Sequence, residues 1–190
     1  MTKNTGGTSV FDAPPFLSHL LCFSTFEANL PTRLIVSIPN QQFVHRMTGD
    51  PLISASPAIS RLNARRERSR VEACAIAKLC EEFRGKDTVV LDLTSVTPIM
   101  DFFVITTCNN PRTMAAIANE ARVQMKARGN APPNTEGEKV SSWLLQDWGD
   151  IVLHVMLPEA RELYDLEGLW ADAVRVDWKQ IAGAPLSSDG

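Results

Sequence analysis

The chain has 190 residues, which suffices for one ordinary domain and an additional segment, since a single core usually needs about 100 to 150 residues. The formal net charge of −3 hides a split: residues 1 to 70 hold 8 basic and 4 acidic side chains, whereas residues 71 to 190 hold 11 and 18. The acidic part disfavours direct binding to a nucleic-acid backbone, and no run of about 20 apolar residues predicts a membrane span.

Residues 1 to 69 carry scattered prolines among Ser, Thr and Asn without a sustained period, which predicts a disordered or loosely structured extension. A start at Met47 is an alternative interpretation of this segment. The apolar run at residues 16 to 26 lacks a basic start, and only Lys3 is basic before Arg33, so secretory and organelle targeting are weakly supported. The segment ends in a cluster of five arginines. We expect these side chains either to contact RNA phosphates or to begin a solvated helix: Arg61, Arg65, Arg66, Arg68 and Arg70.

Regular patterning starts at Glu72, where apolar residues recur at helical spacing until Gly85, which we expect to end the helix in a left-handed conformation. Residues 88 to 93 alternate as in a strand. The continuously apolar residues 102 to 105 predict a central strand that is covered on both faces.

A second helix is predicted from Asn110 as N-cap and Pro111 at the first helical position to a stop at Gly129. A loop at residues 130 to 137 precedes a hairpin of two strands, at 140 to 146 and 151 to 157.

A closing helix starts at Pro158, with an apolar stripe that includes Leu163 and an interruption at Gly168. This order predicts an α+β domain over residues 70 to 178, with a mixed sheet covered by helices and a flexible tail at 179 to 190. The strand order is left open.

Four segments in this order resemble the ribosomal silencing factor family, also called the Iojap family. They are LDLTSVTPIMDFFVITT at 91 to 107, NPRTMAAIANE at 110 to 120, EGEKVSSWLLQDWGDIVLHVM at 136 to 156 and EARELYDLEGLW at 159 to 170. The resemblance implies a nucleotidyltransferase-like fold without catalytic residues. It also implies a translation repressor that binds the fourteenth protein of the large ribosomal subunit and blocks joining of the small subunit.

We predict that the hairpin and the closing helix form the partner-binding surface, because large rings near turns and helix surfaces often anchor interfaces. These rings are Trp143, Trp148, Tyr164 and Trp170. Filling of the core is the alternative for each. Carboxylates around them are expected to attract a basic ribosomal protein, unless they are ordinary solvated charges. The site includes Asp147, Asp150, Glu159, Asp165 and Glu167, within a wider acidic set that adds Glu136, Glu138 and Glu162.

An enzyme is the competing hypothesis, in which Asp92 and Asp101 hold magnesium for nucleotidyl transfer. The sequence shows no Gly-Ser turn followed by a paired Asp-x-Asp and no phosphate-binding glycine loop. His154 is expected to be a satisfied, buried or half-buried strand residue rather than a general base. The four cysteines, Cys22 among them, form no CxxC pair and no zinc spacing, so we predict no metal and no cofactor.

The expected location is the bacterial cytoplasm, with a plastid or mitochondrion as the alternative. A homodimer is left open.

Overall fold

The computed structural model describes residues 57 to 137 and 141 to 182. The predictions for residues 1 to 56, for Glu138 and for residues 183 to 190 lie outside these described ranges.

The first helix, α1, spans Pro57–Glu82 and begins 15 residues before the predicted start at Glu72. Residues 57 to 69 are therefore helical, which corrects the expectation of a loosely structured segment there. The apolar period could not reveal this part of the helix, because the buried residues of α1 begin only at Ser69.

The end of α1 differs from the prediction at Gly85. Arg84, with φ 66°, takes the left-handed conformation that we assigned to the glycine. Gly85 is needed for close packing instead: a Cβ atom there would lie 2.5 Å from Thr106 Oγ1 and 2.7 Å from the carbonyl oxygen of Cys80. Since that carbonyl belongs to the backbone, it cannot move aside cheaply.

Within residues 57 to 137 and 141 to 182, six strands form one mixed sheet, which confirms the α+β class. The strands are β1 Lys86–Asp92, β2 Phe102–Thr107, β3 Asn134–Glu136, β4 Trp143–Asp147, β5 Ile151–Met156 and β6 Val174–Val176. Their order is β3-β4-β5-β2-β1-β6. β2 and β5 pair in parallel, with Phe102 opposite Ile151, and the other neighbours are antiparallel. β2 is buried along its whole length, as its apolar sequence predicted.

Among the described residues, four more helices follow α1: α2 Pro111–Ala127, α3 Pro158–Tyr164, α4 Leu166–Leu169 and α5 Trp178–Ala182. The predicted start of α2 is confirmed, since the Asn110 side chain accepts a hydrogen bond from the Thr113 amide at 2.9 Å.

The sheet separates two hydrophobic clusters. One face, the α1–α2 face, packs Ile76, Leu79, Ile117 and other helix residues on Val104 and Leu153. The opposite face, the α3–α4 face, is covered by short segments that contribute Ala160, Leu166 and Trp170, among others. The α3–α4 face is therefore covered by short helices, whereas α1 and α2 on the opposite face are long.

Candidate partner-binding surface

A group of aromatic rings packs on the α3–α4 face of the sheet. The Trp143 ring centroid is 4.8 Å from that of Tyr164 and 5.6 Å from that of His154. Phe103 links His154 to Trp170, with centroid distances of 4.6 and 5.8 Å and edge-on geometry in both pairs. Three of the four predicted aromatic anchors therefore belong to one packed group, and Trp148 does not.

Trp143 is a core residue, contrary to the prediction that favoured the partner surface. Only 1% of its surface is exposed, and its indole Nε1 donates a hydrogen bond to His154 Nδ1 at 3.3 Å. The reason is its position at the start of β4, opposite Met156, where the side chain points under α3. Trp143 therefore supports Tyr164 from below rather than offering its own ring to a partner.

His154 is fully buried, as expected of a mid-strand imidazole, but it is not satisfied as predicted, because its Nε2 has no hydrogen-bond partner among the described residues. Burial lowers its pKa to about 3, so the ring is neutral at physiological pH. Since Nδ1 accepts from Trp143, the proton of the neutral ring is on Nε2. A side chain so placed cannot act as a general base for a substrate in solution.

The surface above these rings is formed by α3 and the turn into α4. Tyr164 is half-buried, whereas Glu159, Glu162, Leu163 and Asp165 are exposed. We call these five residues the α3–α4 surface.

Leu163 was expected in the buried stripe of the closing helix, but 58% of it is exposed. Within α3 the buried side is formed by Ala160 and the half-buried Tyr164, and the helix ends at Asp165, which has φ 36° and separates α3 from α4. The interruption that we assigned to Gly168 is thus three residues earlier. The Asp165 side chain accepts a hydrogen bond from the Gly168 amide at 3.1 Å and caps α4.

Glu167 is occupied within the domain. Its carboxylate forms an ion pair with Arg161, whose Nη1 also donates to Thr107 Oγ1 at 2.8 Å. Only 16% of the Glu167 side chain is exposed, so this carboxylate joins α3–α4 to the sheet and contributes little free charge to a surface.

The β4–β5 turn holds the other predicted site residues, at the opposite end of β4. Asp147 Oδ1 accepts from the Gly149 amide at 2.6 Å, and Trp148 packs against the α1–α2 face. Asp150 binds the Arg65 guanidinium of α1, with Nε at 2.8 Å from Oδ2. Because Trp143 and Asp147 are four residues apart along a strand, the two groups lie about 13 Å apart. The structure therefore divides the predicted site into two separate surfaces.

Comparison with known proteins gives the family. The family model described as "RsfS: Ribosomal silencing factor during starvation" matches residues 66 to 188, which is more than half of the chain. The chain belongs to the ribosomal silencing factor family.

Relatives of this family support the match. A ribosomal silencing factor of Chromobacterium violaceum is 38% identical over 90 residues, which cover 47% of this chain and 74% of the relative. One from Bacillus subtilis is 35% identical over 101 residues, covering 53% and 86%. The crystal structure of a Chromobacterium violaceum protein superposes with a TM-score of 0.50 at 35% identity, and covers 54% of this chain and 84% of that chain.

Ribosomal silencing factors are non-enzymatic, ribosome-associated repressors of translation, so the enzyme alternative is not supported. The side chains proposed to hold magnesium have other partners. Asp92 Oδ1 accepts from the Thr94 amide at 3.0 Å and from its hydroxyl at 2.6 Å, and Asp101 lies 4.0 Å from the Arg66 guanidinium. Burial, together with the nearby charge of Asp150, raises the pKa of Asp101. Within the described ranges, no three His, Cys, Asp or Glu side chains are grouped as a metal site.

The arginine cluster of this family member is largely paired within the chain. Arg65 and Arg66 face Asp150 and Asp101, while Arg68 pairs with Glu72 and Arg70 with Glu67. No helix among the described residues is long and apolar enough to cross a membrane.

Proposed function

We propose that this chain binds the large ribosomal subunit through its fourteenth ribosomal protein and prevents the small subunit from joining by occupying the space it needs. The observation that carries the proposal is the family match over residues 66 to 188. That match includes the six strands and five helices of the described residues, except the first nine residues of α1.

The α3–α4 surface is the best candidate for the contact. It places an exposed apolar side chain, Leu163, and a half-buried ring, Tyr164, among three exposed carboxylates. Apolar and aromatic side chains supply most binding energy in interfaces, while surrounding charges orient the partner and speed association. A basic ribosomal protein has the complementary charge.

Trp143 contributes to this surface indirectly. Its ring lies 4.8 Å from the Tyr164 ring and fills the space beneath it. Loss of the indole would therefore change the position of Tyr164, so that Trp143→Ala weakens binding through the fold rather than through a lost contact. The β4–β5 turn, with Asp147, Trp148 and Asp150, remains a second and separate candidate surface.

Contact with ribosomal RNA through the arginine cluster is reduced by the internal ion pairs. Within the described residues only Arg61 of the five has no carboxylate partner, and phosphate binding depends on cationic groups free to displace counterions. The bacterial relatives at 38% and 35% identity support the bacterial cytoplasm as the location, and mitochondrial and chloroplastic relatives at 29 to 31% identity keep an organelle as the alternative.

The test is the sedimentation profile of purified ribosomal subunits under joining conditions, with and without the full chain. We expect joined ribosomes to decrease, free subunits to increase and the protein to migrate with the large subunit. Tyr164→Ala should weaken binding roughly thirtyfold, because truncating an interface anchor costs about 2 kcal/mol. Leu163→Ser should weaken it in the same direction.

Val123→Ser is the matched control, since Val123 on α2 is also 58% exposed. It should silence like the unchanged chain. Subunits that still join in the presence of saturating protein would refute the proposal. Full binding by folded Leu163→Ser and Tyr164→Ala variants would refute the assigned surface alone.

A further inference from the structure

The first three turns of α1 project beyond the domain. Of residues 57 to 68, which we call the overhang, only Arg66 is even half-buried. The family match begins at residue 66, so most of the overhang lies outside what the family model covers.

Ion pairs hold the overhang against the end of the sheet. The Arg65 guanidinium binds both carboxylate oxygens of Asp150, and Ser69 Oγ lies 3.4 Å from the same carboxylate. Arg66 Nε lies 4.0 Å from Asp101 Oδ1. The direction of the overhang is thus fixed by contacts with two strand ends.

Exposed apolar side chains occupy one side of the overhang. Ile59 is 52% and Leu62 46% exposed, and both are spaced so that they continue the buried stripe of α1. Ile99, 54% exposed, is two residues before Asp101, the carboxylate that Arg66 of the overhang faces. We call Ile59, Leu62 and Ile99 the overhang patch.

The size and charge of the patch restrict what can cover it. A stable interface between two copies buries about 800 Å² on each side, which is far more than three half-exposed side chains provide. RNA phosphates would find most of the neighbouring arginines already paired. A short apolar segment joined covalently to the patch needs much less area, because its effective concentration is in the millimolar range.

The chain itself carries such a segment before Pro57. Residues 11 to 27 contain seven Phe and Leu side chains, and Asp12 and Glu27 lie near the two ends. No Lys or Arg lies between Lys3 and Arg33, so the segment is negative, whereas the overhang offers Arg61, which has no carboxylate partner among the described residues. The connection at residues 28 to 56 can span up to about 95 Å when extended, which is ample.

We propose that residues 11 to 27 dock on the overhang patch of the same molecule. Residues 11 to 27 and the overhang then form one unit that is added to the family domain. This docking is independent of subunit binding by the α3–α4 surface.

Cys22 provides a direct probe in the full chain. Cys74, Cys80 and Cys108 have no exposed surface, and burial raises the pKa of each thiol, so a thiol reagent should modify Cys22 selectively in the folded protein. We expect Cys22 to react more slowly than a free thiol. The double variant Ile59→Ser, Leu62→Ser should react roughly tenfold faster, because two aliphatic contacts of the docked state are removed.

Val123→Ser combined with Val174→Ser is the control, since these exposed valines lie on other elements. It should leave Cys22 as protected as before. The double variant Leu20→Ser, Leu21→Ser tests the same contact from residues 11 to 27. Amide exchange of residues 57 to 65 should be faster in this variant than in the unchanged chain. Three results would each overturn the proposal: a Cys22 that reacts as a free thiol, protection that the overhang variant leaves unchanged, or protection that is lost on dilution, which indicates a second copy.

Discussion

His154 has no exposed surface, and burial lowers the pKa of its imidazole to about 3 from an ordinary 6.5. Below pH 6.5 the unfolded chain takes up a proton that the folded chain refuses, so the free energy of unfolding falls as the pH is lowered toward 3. The slope contributed by one such group approaches about 1.4 kcal/mol per pH unit.

His154→Gln should make this slope shallower, because glutamine can still accept the hydrogen bond of Trp143 Nε1 but does not titrate. Urea unfolding between roughly pH 7 and pH 5 measures the difference between the two proteins, since His19 and His45 are common to both. Equal slopes would show that the folded protein protonates His154 freely.

Individual side chains were the part of the site that the sequence predicted least well. Trp143 is the first residue of β4 and Trp148 follows its last, and residues 144 to 146 are buried on both faces, so alternation could not indicate which ring is covered. Burial of Trp143 depends on α3 crossing above it, a contact between segments about 20 residues apart. The enclosed environment of His154, by contrast, followed from its apolar neighbours.

At the level of elements, the break between α3 and α4 determines what the α3–α4 surface exposes. Asp165 holds a left-handed conformation and caps the Gly168 amide, and both properties favour Asp or Asn. Asp165→Ala should lower the free energy of unfolding by about 1 to 3 kcal/mol, since it loses the cap and keeps the strain.

Asp165→Asn keeps a side-chain oxygen that can cap the Gly168 amide but removes the negative charge, so it separates the capping role of Asp165 from its electrostatic role. It should unfold like the unchanged chain, and any slower association with large subunits would then come from the missing charge. Asp172→Ala, at an exposed position nearby, is the control for loss of an acidic side chain. A denaturation midpoint of Asp165→Ala equal to that control would contradict the capping role.

Elements with strong local signals were predicted and short elements were not. The N-cap Asn110 and Pro111 defined α2, and continuous apolar residues defined β2. β3 and β6 have three residues each, too few for a pattern, and they exist because longer neighbouring strands offer free edges. The first part of α1 was missed because nearly all of its side chains face solvent, and Ile59 and Leu62 alone are too few to show a helical period.

Over the whole molecule, the distribution of charge predicts how association depends on salt. Residues 71 to 190 hold 18 acidic and 11 basic side chains, so a basic partner should be attracted over distances comparable with the screening length. The association rate with isolated large subunits should fall as salt rises from roughly 50 to 300 mM.

Glu159→Gln with Glu162→Gln should reduce both the rate and its salt dependence. Glu82→Gln with Glu120→Gln removes the same charge from the α1–α2 side and should change them less. A rate that does not respond to salt, measured by stopped-flow mixing, would rule out electrostatic attraction as the source of fast docking.

The outer edge of β1 is completed late in the chain. β6 pairs with Val90, Leu91 and Asp92, and the Trp178 indole donates to the Thr88 carbonyl at 3.1 Å. During synthesis, a nascent polypeptide that has already assembled the other strands still carries this open strand until residues 174 to 178 emerge. Unpaired edges invite pairing with other chains, so an interruption of translation shortly before this point would release the most aggregation-prone intermediate.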